Sequence, residues 1–301
     1  MAGRKFNPPS APPVPAAGGG SLYLVATPIG NLEDITLRAL RILREVRWIA
    51  CEDTRRTTSL LQRHGIESPL ISYHEHNERQ RTPELLAALE RGESGALVTD
   101  AGTPLVSDPG FRLVSAAIAH GIRVVPVPGC SAVLAALAAS GLPCDEFLFA
   151  GFLPARSAER RRALDRLRTE PRTIVLFEAP HRLAASLADA AEILGPRPAV
   201  VGREITKIFE EFRRGTLVEL AESIRSIKPR GEITLVIGPP AQETAESVSC
   251  STRESAGLPL SARVAQLIES EGISRNAALK RAARERGITR RVAYRRLLEE
   301  R

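Results

Sequence analysis

Apolar residues in this chain gather in short runs, and between the runs they recur every three or four positions. Residues 22–26, 48–51, 69–73, 96–98 and 123–127 are compact, mostly apolar runs, as buried strands are. Between them, residues 36–47 place Leu37, Leu40, Ile42, Leu43 and Val46 on one side of a helix. Residues 57–64 resume helix, 74–81 read as a polar loop, Pro83 opens a helix through Arg91, and 111–120 form another. Strand and helix alternating in this way predict a largely parallel sheet. Beyond residue 128 the order is less regular. Ser131 caps an Ala-rich helix to Ser140, strands are expected at 147–151, 173–177, 199–201 and 233–237, and helices at 157–169 and 181–194. Strand directions in this half should be mixed. The expected organisation is a disordered Pro/Gly-rich tail (1–20), an N-terminal α/β domain (21–127), a C-terminal α/β domain (128–238), a polar linker (239–256) and a helical appendage (257–301).

Composition agrees with real cores: 43% of residues are apolar, but only 4% are aromatic, so Ala, Leu, Val and Ile must build them. The net charge of +7 favours a polyanionic partner. Its distribution matters more. Residues 156–172 hold seven arginines against three acids, but helical spacing spreads them over more than one face. Residues 275–296 hold Lys280 and eight arginines against the single acid Glu285. There Gly272-Ile273-Ser274 and Gly287-Ile288-Thr289 each put a Gly and then a cap before a helix, a helix-turn-helix-like pattern suited to nucleic acid or to a charged helical cap. Cys51, Cys130, Cys144 and Cys250 have neither zinc-ligand nor redox spacing, so no metal is expected and a reducing compartment is. No apolar run approaches the ~20 residues of a membrane span. A soluble cytoplasmic protein is the expectation.

The densest chemistry lies at residues 98–110, Val-Thr-Asp-Ala-Gly-Thr-Pro-Leu-Val-Ser-Asp-Pro-Gly. In open α/β sheets ligands bind beyond the carboxyl ends of strands, where this loop falls. It also reads as a plain turn, with Ser107 or Asp108 capping the helix from Phe111. The first strand ends in Thr27-Pro28-Ile29-Gly30-Asn31-Leu32, which is not G-x-G-x-x-G, and no G-x-x-x-x-G-K-[ST] occurs. That argues against NAD(P), FAD and ATP, and for a ligand without pyrophosphate gripped by main-chain atoms.

The ordered blocks LYLVATPIGNLEDITLRALRILREVRWIACEDTR (22–55), HEHNERQRTPELL (74–86), VTDAGTPLVSDPG (98–110), VVPVPGCSA (124–132), GFLPARSAERR (151–161), FEAPHRL (177–183), GREITKIFEEF (202–212) and RGEITLVIG (230–238) resemble the tetrapyrrole-methylase superfamily. Within it they resemble the bacterial ribosomal RNA small-subunit methyltransferase I family. Uroporphyrinogen methylases and diphthine synthases of the superfamily open with a glycine-richer loop ending in Pro-Gly-Asp-Pro, which this chain lacks. The resemblance implies two α/β domains with a cofactor cleft between them, S-adenosyl-L-methionine as methyl donor, and a homodimer. It also implies 2′-O-methylation of a cytidine ribose in the decoding region of 16S rRNA, within the small ribosomal subunit.

By the same resemblance Pro28, Asp100, Gly102, Thr103, Val106, Ser107, Ser131, Ala132, Phe177, Arg203, Glu204 and Glu232 hold the cofactor. The proton acceptor is open: Glu52, Asp53, His74 and Glu178 are candidates, and Glu178 fits equally as an acidic helix cap. Arg55, Arg81, Arg161, Arg182, Lys280, Arg281, Arg290 and Arg291 are candidate RNA anchors. Two other functions stay open, a uroporphyrinogen-type tetrapyrrole methylase and a non-catalytic RNA-binding ribosome-assembly factor. The first would not need the arginine-rich tail.

Overall fold

The computed structural model describes residues 20–225, 227, 229–240, 260–285 and 292–295. The chain divides into two compact units, Met1–Pro240 and Ala241–Arg301. All but Gly20 of the expected tail, all but Pro239 and Pro240 of the expected linker, and Cys250, Arg290 and Arg291 lie outside the described residues.

The first unit carries two five-stranded sheets, one in each half. The first sheet is built from β1 (Ser21–Val25), β2 (Trp48–Cys51), β3 (Leu70–Ser72), β4 (Gly95–Leu97) and β5 (Arg123–Val127), all parallel, in the order β3-β2-β4-β1-β5. Its crossovers are α1 (Leu37–Glu45), α2 (Thr54–Arg63), α3 (Glu78–Glu90) and α4 (Phe111–Ala119). Both faces are covered. Val25, Ile49 and Val98 pack with Ile42 and Leu43 on one side, and Leu22, Ala50 and Leu97 with Leu89 and Leu113 on the other. Burial on both faces is why these strands read as unbroken apolar runs. β1 and β4 are neighbours, but the chain leaves them in opposite directions, towards β2 and towards β5 respectively. That divergence opens a crevice at their carboxyl ends.

α5 (Ala132–Ser140) opens the second half, and the Ser131 hydroxyl accepts the Leu134 N–H as its cap. The second sheet comprises β6 (Phe147–Phe152), β7 (Thr173–Glu178), β8 (Pro198–Arg203), β9 (Glu211–Thr216) and β10 (Ile233–Ile237), in the order β6-β7-β10-β8-β9. Only β6 and β7 are parallel, the mixed directions the sequence predicts. α6 (Ser157–Arg166), α7 (Leu183–Leu194) and α8 (Leu217–Ile224) complete this half. Ile174, Leu176, Val201 and Leu235 pack towards α7 and α8, while Val175, Val200 and Val236 face α5, Ile29 and Ile205. This period-two alternation decides which side chains of the second sheet face the crevice.

Four elements differ most from expectation: α2, which begins at Thr54 rather than residue 57, and α3, β9 and α8. α3 begins at Glu78 rather than Pro83, because Asn77 organises the turn before it. Its amide donates to the Ser72 carbonyl (3.0 Å) and its Oδ1 accepts the His74 N–H (2.8 Å). Pro83 then sits inside the helix. β9, Glu-Phe-Arg-Arg-Gly-Thr, was not expected as a strand. It is a charged sheet edge, the composition that discourages a further strand from pairing there. α8 follows it from a capping box, Thr216 with Glu219.

In the second unit, α9 (Leu260–Glu271) and α10 (Arg275–Glu285) pack through Leu260, Val264, Leu267, Leu279 and Ala282. Gly272, at φ 64°, ends α9, and the Ser274 hydroxyl accepts the Ala277 N–H at the start of α10. This is the Gly-then-cap turn the sequence predicts. No described helix is long and apolar enough to cross a membrane.

Candidate functional site

The loops after β1 and β4 are stitched together at the crevice. Thr27 and Gly102 exchange both backbone hydrogen bonds (2.9 and 3.0 Å), and the Thr27 hydroxyl donates to the Thr99 carbonyl (3.0 Å). Thr103 Oγ1 donates to the Cys130 carbonyl (3.1 Å), fixing the loop to the segment that enters α5. Gly102 sits at φ 88°, a conformation costly for any residue with a Cβ. Neither Ser107 nor Asp108 caps α4. Its N-cap is Gly110, with no side-chain cap bond, so these two side chains are left to other uses.

The result is a cleft of about 330 Å³ between the β4 loop, the start of α5 and the inner edge of the second sheet. Its wall is mostly apolar. Ile29, Val106, Val133 and Ile205 line it, with Phe177 packed edge-on to Phe149 at 5.1 Å and tilted against Phe152 at 5.5 Å. Among the described residues, the non-glycine positions with left-handed backbone are Leu105, Ser107, Glu204 and Thr206, in the two loops that bear on this cleft. Strain of this kind concentrates at binding sites.

Of the residues expected at a cofactor, Asp100, Gly102, Thr103, Val106, Ser107, Ser131, Ala132, Phe177 and Glu232 line the cleft together. Pro28 is buried and leaves the wall to Ile29. Glu204 stands behind the wall. Its Oε1 accepts hydrogen bonds from the Glu232 N–H (2.8 Å) and from Lys207 Nζ (2.9 Å). Burial opposes the Glu204 charge, but these partners outweigh it and hold the carboxyl below its ordinary range. Arg203 is not in the cleft. It follows Val201 on the α7/α8 face of β8 and bonds Glu211 (3.1 Å), so alternation along the strand turns it away.

The proton-acceptor candidates separate clearly. Asp53 is locked by Arg55, whose backbone N–H, Nε and Nη2 all donate to it, and these bonds lower its carboxyl to about 2. Glu178 borders the cleft, but its carboxylate accepts from the Ala179 N–H (2.8 Å), Arg182 Nε (2.9 Å) and Ser186 Oγ. It ties β7 to α7 as a cap would. Glu52 follows β2 and lies outside the lining, and burial, then the charge of Asp100, pushes its carboxyl up. His74 stacks edge-on to His76 at 5.9 Å, and its buried Nδ1 has no hydrogen-bond partner.

Two charged cleft residues were absent from the expected set. Arg56 lines the cleft and lies 3.3 Å from Asp100, whose other oxygen accepts the Asp53 N–H. Because α2 starts at Thr54, Arg56 faces inward and Arg55 outward, a distinction that helical phase from residue 57 does not reach. Asp108 also lines the cleft. Burial, reinforced by the charges of Glu52 and Asp100, raises its carboxyl to about 6, while the Thr99 hydroxyl works the other way.

Several expected RNA anchors have acidic partners. Arg55 pairs with Asp53 (2.9 Å), Arg81 with Glu84 (2.7 Å), Arg161 with Asp189 (2.9 Å) and Glu192, and Arg182 with Glu178 (2.6 Å). Lys280 and Arg281 lie exposed on α10. Cys51, Cys130 and Cys144 are free thiols. Among the described residues no cluster of three His, Cys, Asp or Glu could hold a metal ion.

This pair of sheets with a cleft at the strand ends is the architecture of tetrapyrrole methylases. The family model described as "Tetrapyrrole (Corrin/Porphyrin) Methylases" matches residues 21–221. Uroporphyrin-III C-methyl transferase from Thermus thermophilus, solved complexed with S-adenyl homocysteine, superposes with a TM-score of 0.53 over 73% of this chain and 97% of that one, at 21% identity. A diphthine synthase superposes at 0.56 over 73% and 90%. These similarities establish the fold. The chain is also 58% identical to ribosomal RNA small subunit methyltransferase I of Mesorhizobium japonicum, over 73% of this chain and 75% of that protein. It is 46% identical to the protein of the same name from Escherichia coli O157:H7, over 83% and 90%. The chain belongs to the ribosomal RNA small subunit methyltransferase I family.

Proposed function

We propose that this protein transfers the methyl group of S-adenosylmethionine to the ribose 2′-hydroxyl of a cytidine in the decoding region of 16S rRNA. The observation that carries this reading is identity of 46–58% with ribosomal RNA small subunit methyltransferases I over most of both chains. The cleft suits the donor. It offers an apolar, aromatic-edged wall, main-chain N–H groups in the first turn of α5, and no row of glycine amides that would select a pyrophosphate. Thr103, Ser107, Ser131 and Ala132 would hold its polar parts, and Phe177 with Phe152 would flank its base. When bound, the donor supplies an electrophilic methyl on a sulfonium. The protein's tasks are then alignment of the acceptor oxygen and removal of its proton.

The small ribosomal subunit is the proposed partner, and the cytoplasm the proposed compartment. The second unit, with Lys280, Arg281, Arg290 and Arg291, would grip rRNA phosphates. Arg56, which lines the cleft, is better placed to meet the acceptor strand than Arg55, which does not. A homodimer is the assembly the resemblance implies. Purified protein, labelled S-adenosylmethionine and under-methylated small subunits test the proposal. Label should enter 16S rRNA. Label entering uroporphyrinogen, with none in subunits or rRNA, would overturn it.

A further inference from the structure

We propose that Asp108 is the catalytic residue that takes the proton from the acceptor hydroxyl, an inference that rests on the cleft being a methyl-transfer site. Four carboxylates line the cleft among the described residues: Asp100, Asp108, Glu178 and Glu232. Three are already engaged. Asp100 accepts the Asp53 N–H and faces Arg56 at 3.3 Å, Glu178 is held by Arg182 and Ser186, and Glu232 lies 3.2 Å from Lys207 Nζ. A carboxylate stabilised by a cation is a poor proton acceptor. Asp108 instead has two like charges, Glu52 and Asp100, around it.

Its placement is enforced. Leu105 at φ 72° and Ser107 at φ 66° precede it, and Gly110 at φ 135° follows. The loop is pinned upstream by the Thr27–Gly102 pair and by Thr103 on Cys130. A turn this constrained directs one side chain to one place, and here Asp108 reaches the wall of the cleft.

The charged groups around it act in one direction. Glu52 approaches from the end of β2 and Asp100 from its own loop. Arg56 of α2 is directed to Asp100, His74 bears on Glu52, and Glu178 across the cleft is neutralised by Arg182. With burial they raise the carboxyl to about 6. Such a group is ionised at neutral pH, yet it binds a proton far better than an exposed aspartate, which is what a general base requires. In the step, the hydroxyl gives its proton to an Asp108 carboxylate oxygen while its own oxygen bonds the methyl carbon. The carbon–sulfur bond breaks with its electron pair left on sulfur, so the sulfonium becomes a neutral thioether. The carboxylic acid then returns its proton to water.

The test compares wild type, D108N and D108E in the full chain. Single-turnover transfer to small subunits should fall by about 100-fold or more in D108N and recover in part in D108E. S-adenosylhomocysteine affinity, read by calorimetry, should stay within about two-fold of wild type. A ¹³C carboxyl titration of the free protein should find Asp108 titrating at about 6, and the acid limb of wild-type transfer should share that midpoint. Transfer by D108N within about three-fold of wild type would overturn the proposal. So would titration of Asp108 with exposed aspartates near ~4. If D108N fails to fold, the titration and the acid limb still decide. A wild type that transfers no methyl to subunits or rRNA refutes the functional reading instead, so the two failures are told apart.

Discussion

Burial lifts the Asp108 carboxyl to about 6, and the sign of that shift extends to stability. An unfolded aspartate titrates near ~3.9. As pH rises from there through about 6, the unfolded chain releases this proton before the folded one does, so the fold is progressively weakened. The cost is complete above that window and absent below it. D108N removes it. The variant is expected to be more stable than wild type at neutral pH by about 1–2 kcal/mol, after allowance for solvent screening at a half-buried site. The gain should vanish as pH falls towards ~4. Thermal melts across this range check the sign, and a D108N protein no more stable at neutral pH contradicts it. Glu178 predicts the opposite. Its side chain is 1% exposed and paired with Arg182, so Glu178→Ala leaves a guanidinium without its partner. Urea unfolding should show a loss of about 3 kcal/mol or more. At this scale the sequence was legible by loop membership but not by direction. Asp100, Thr103 and Ser107 were named by the family resemblance, and the dense loop that carries them lines the cleft. Asp108 stands in the same loop, but it was indistinguishable from a helix cap until Gly110 proved to be the N-cap.

Elements with strong apolar periodicity were readable: the strands of the first sheet, α5 behind Ser131, and β7 and β10. β9 was not, because an edge strand has no need to bury both faces and its charges read as a solvated loop. The Thr216–Glu219 capping box just after it was an available signal. Arg203 shows the other limit. Its place at a strand end was foreseen, but its face depends on register, and one residue along a strand reverses it. The junction before β10 offers a test of how elements build the cleft wall. Gly231 has φ 89°, and a Cβ there would lie 2.3 Å from the Glu204 carboxyl. Gly231→Ala should displace that carboxylate from Lys207 and from the Glu232 N–H. S-adenosylhomocysteine affinity should fall by about ten-fold with helix content unchanged, and unchanged affinity would remove this junction from the site.

At the scale of the whole chain, the proposed function assigns the cleft to the cofactor and the basic helical unit to RNA. Lys280→Gln with Arg281→Gln should leave S-adenosylhomocysteine binding intact. It should weaken rRNA binding and lower the salt slope by about two, roughly one for each phosphate no longer neutralised. Unchanged affinity and slope would take α10 out of RNA recognition. The family was legible because its blocks run in order through both halves, whereas the reacting atom was not, since a ribose hydroxyl leaves no motif of its own. The product therefore tests the account most directly. Rendered to nucleosides, 16S rRNA from treated small subunits should contain the transferred label in an alkali-stable 2′-O-methylcytidine from the decoding region. Label on a base, or on a ribose elsewhere, would contradict it.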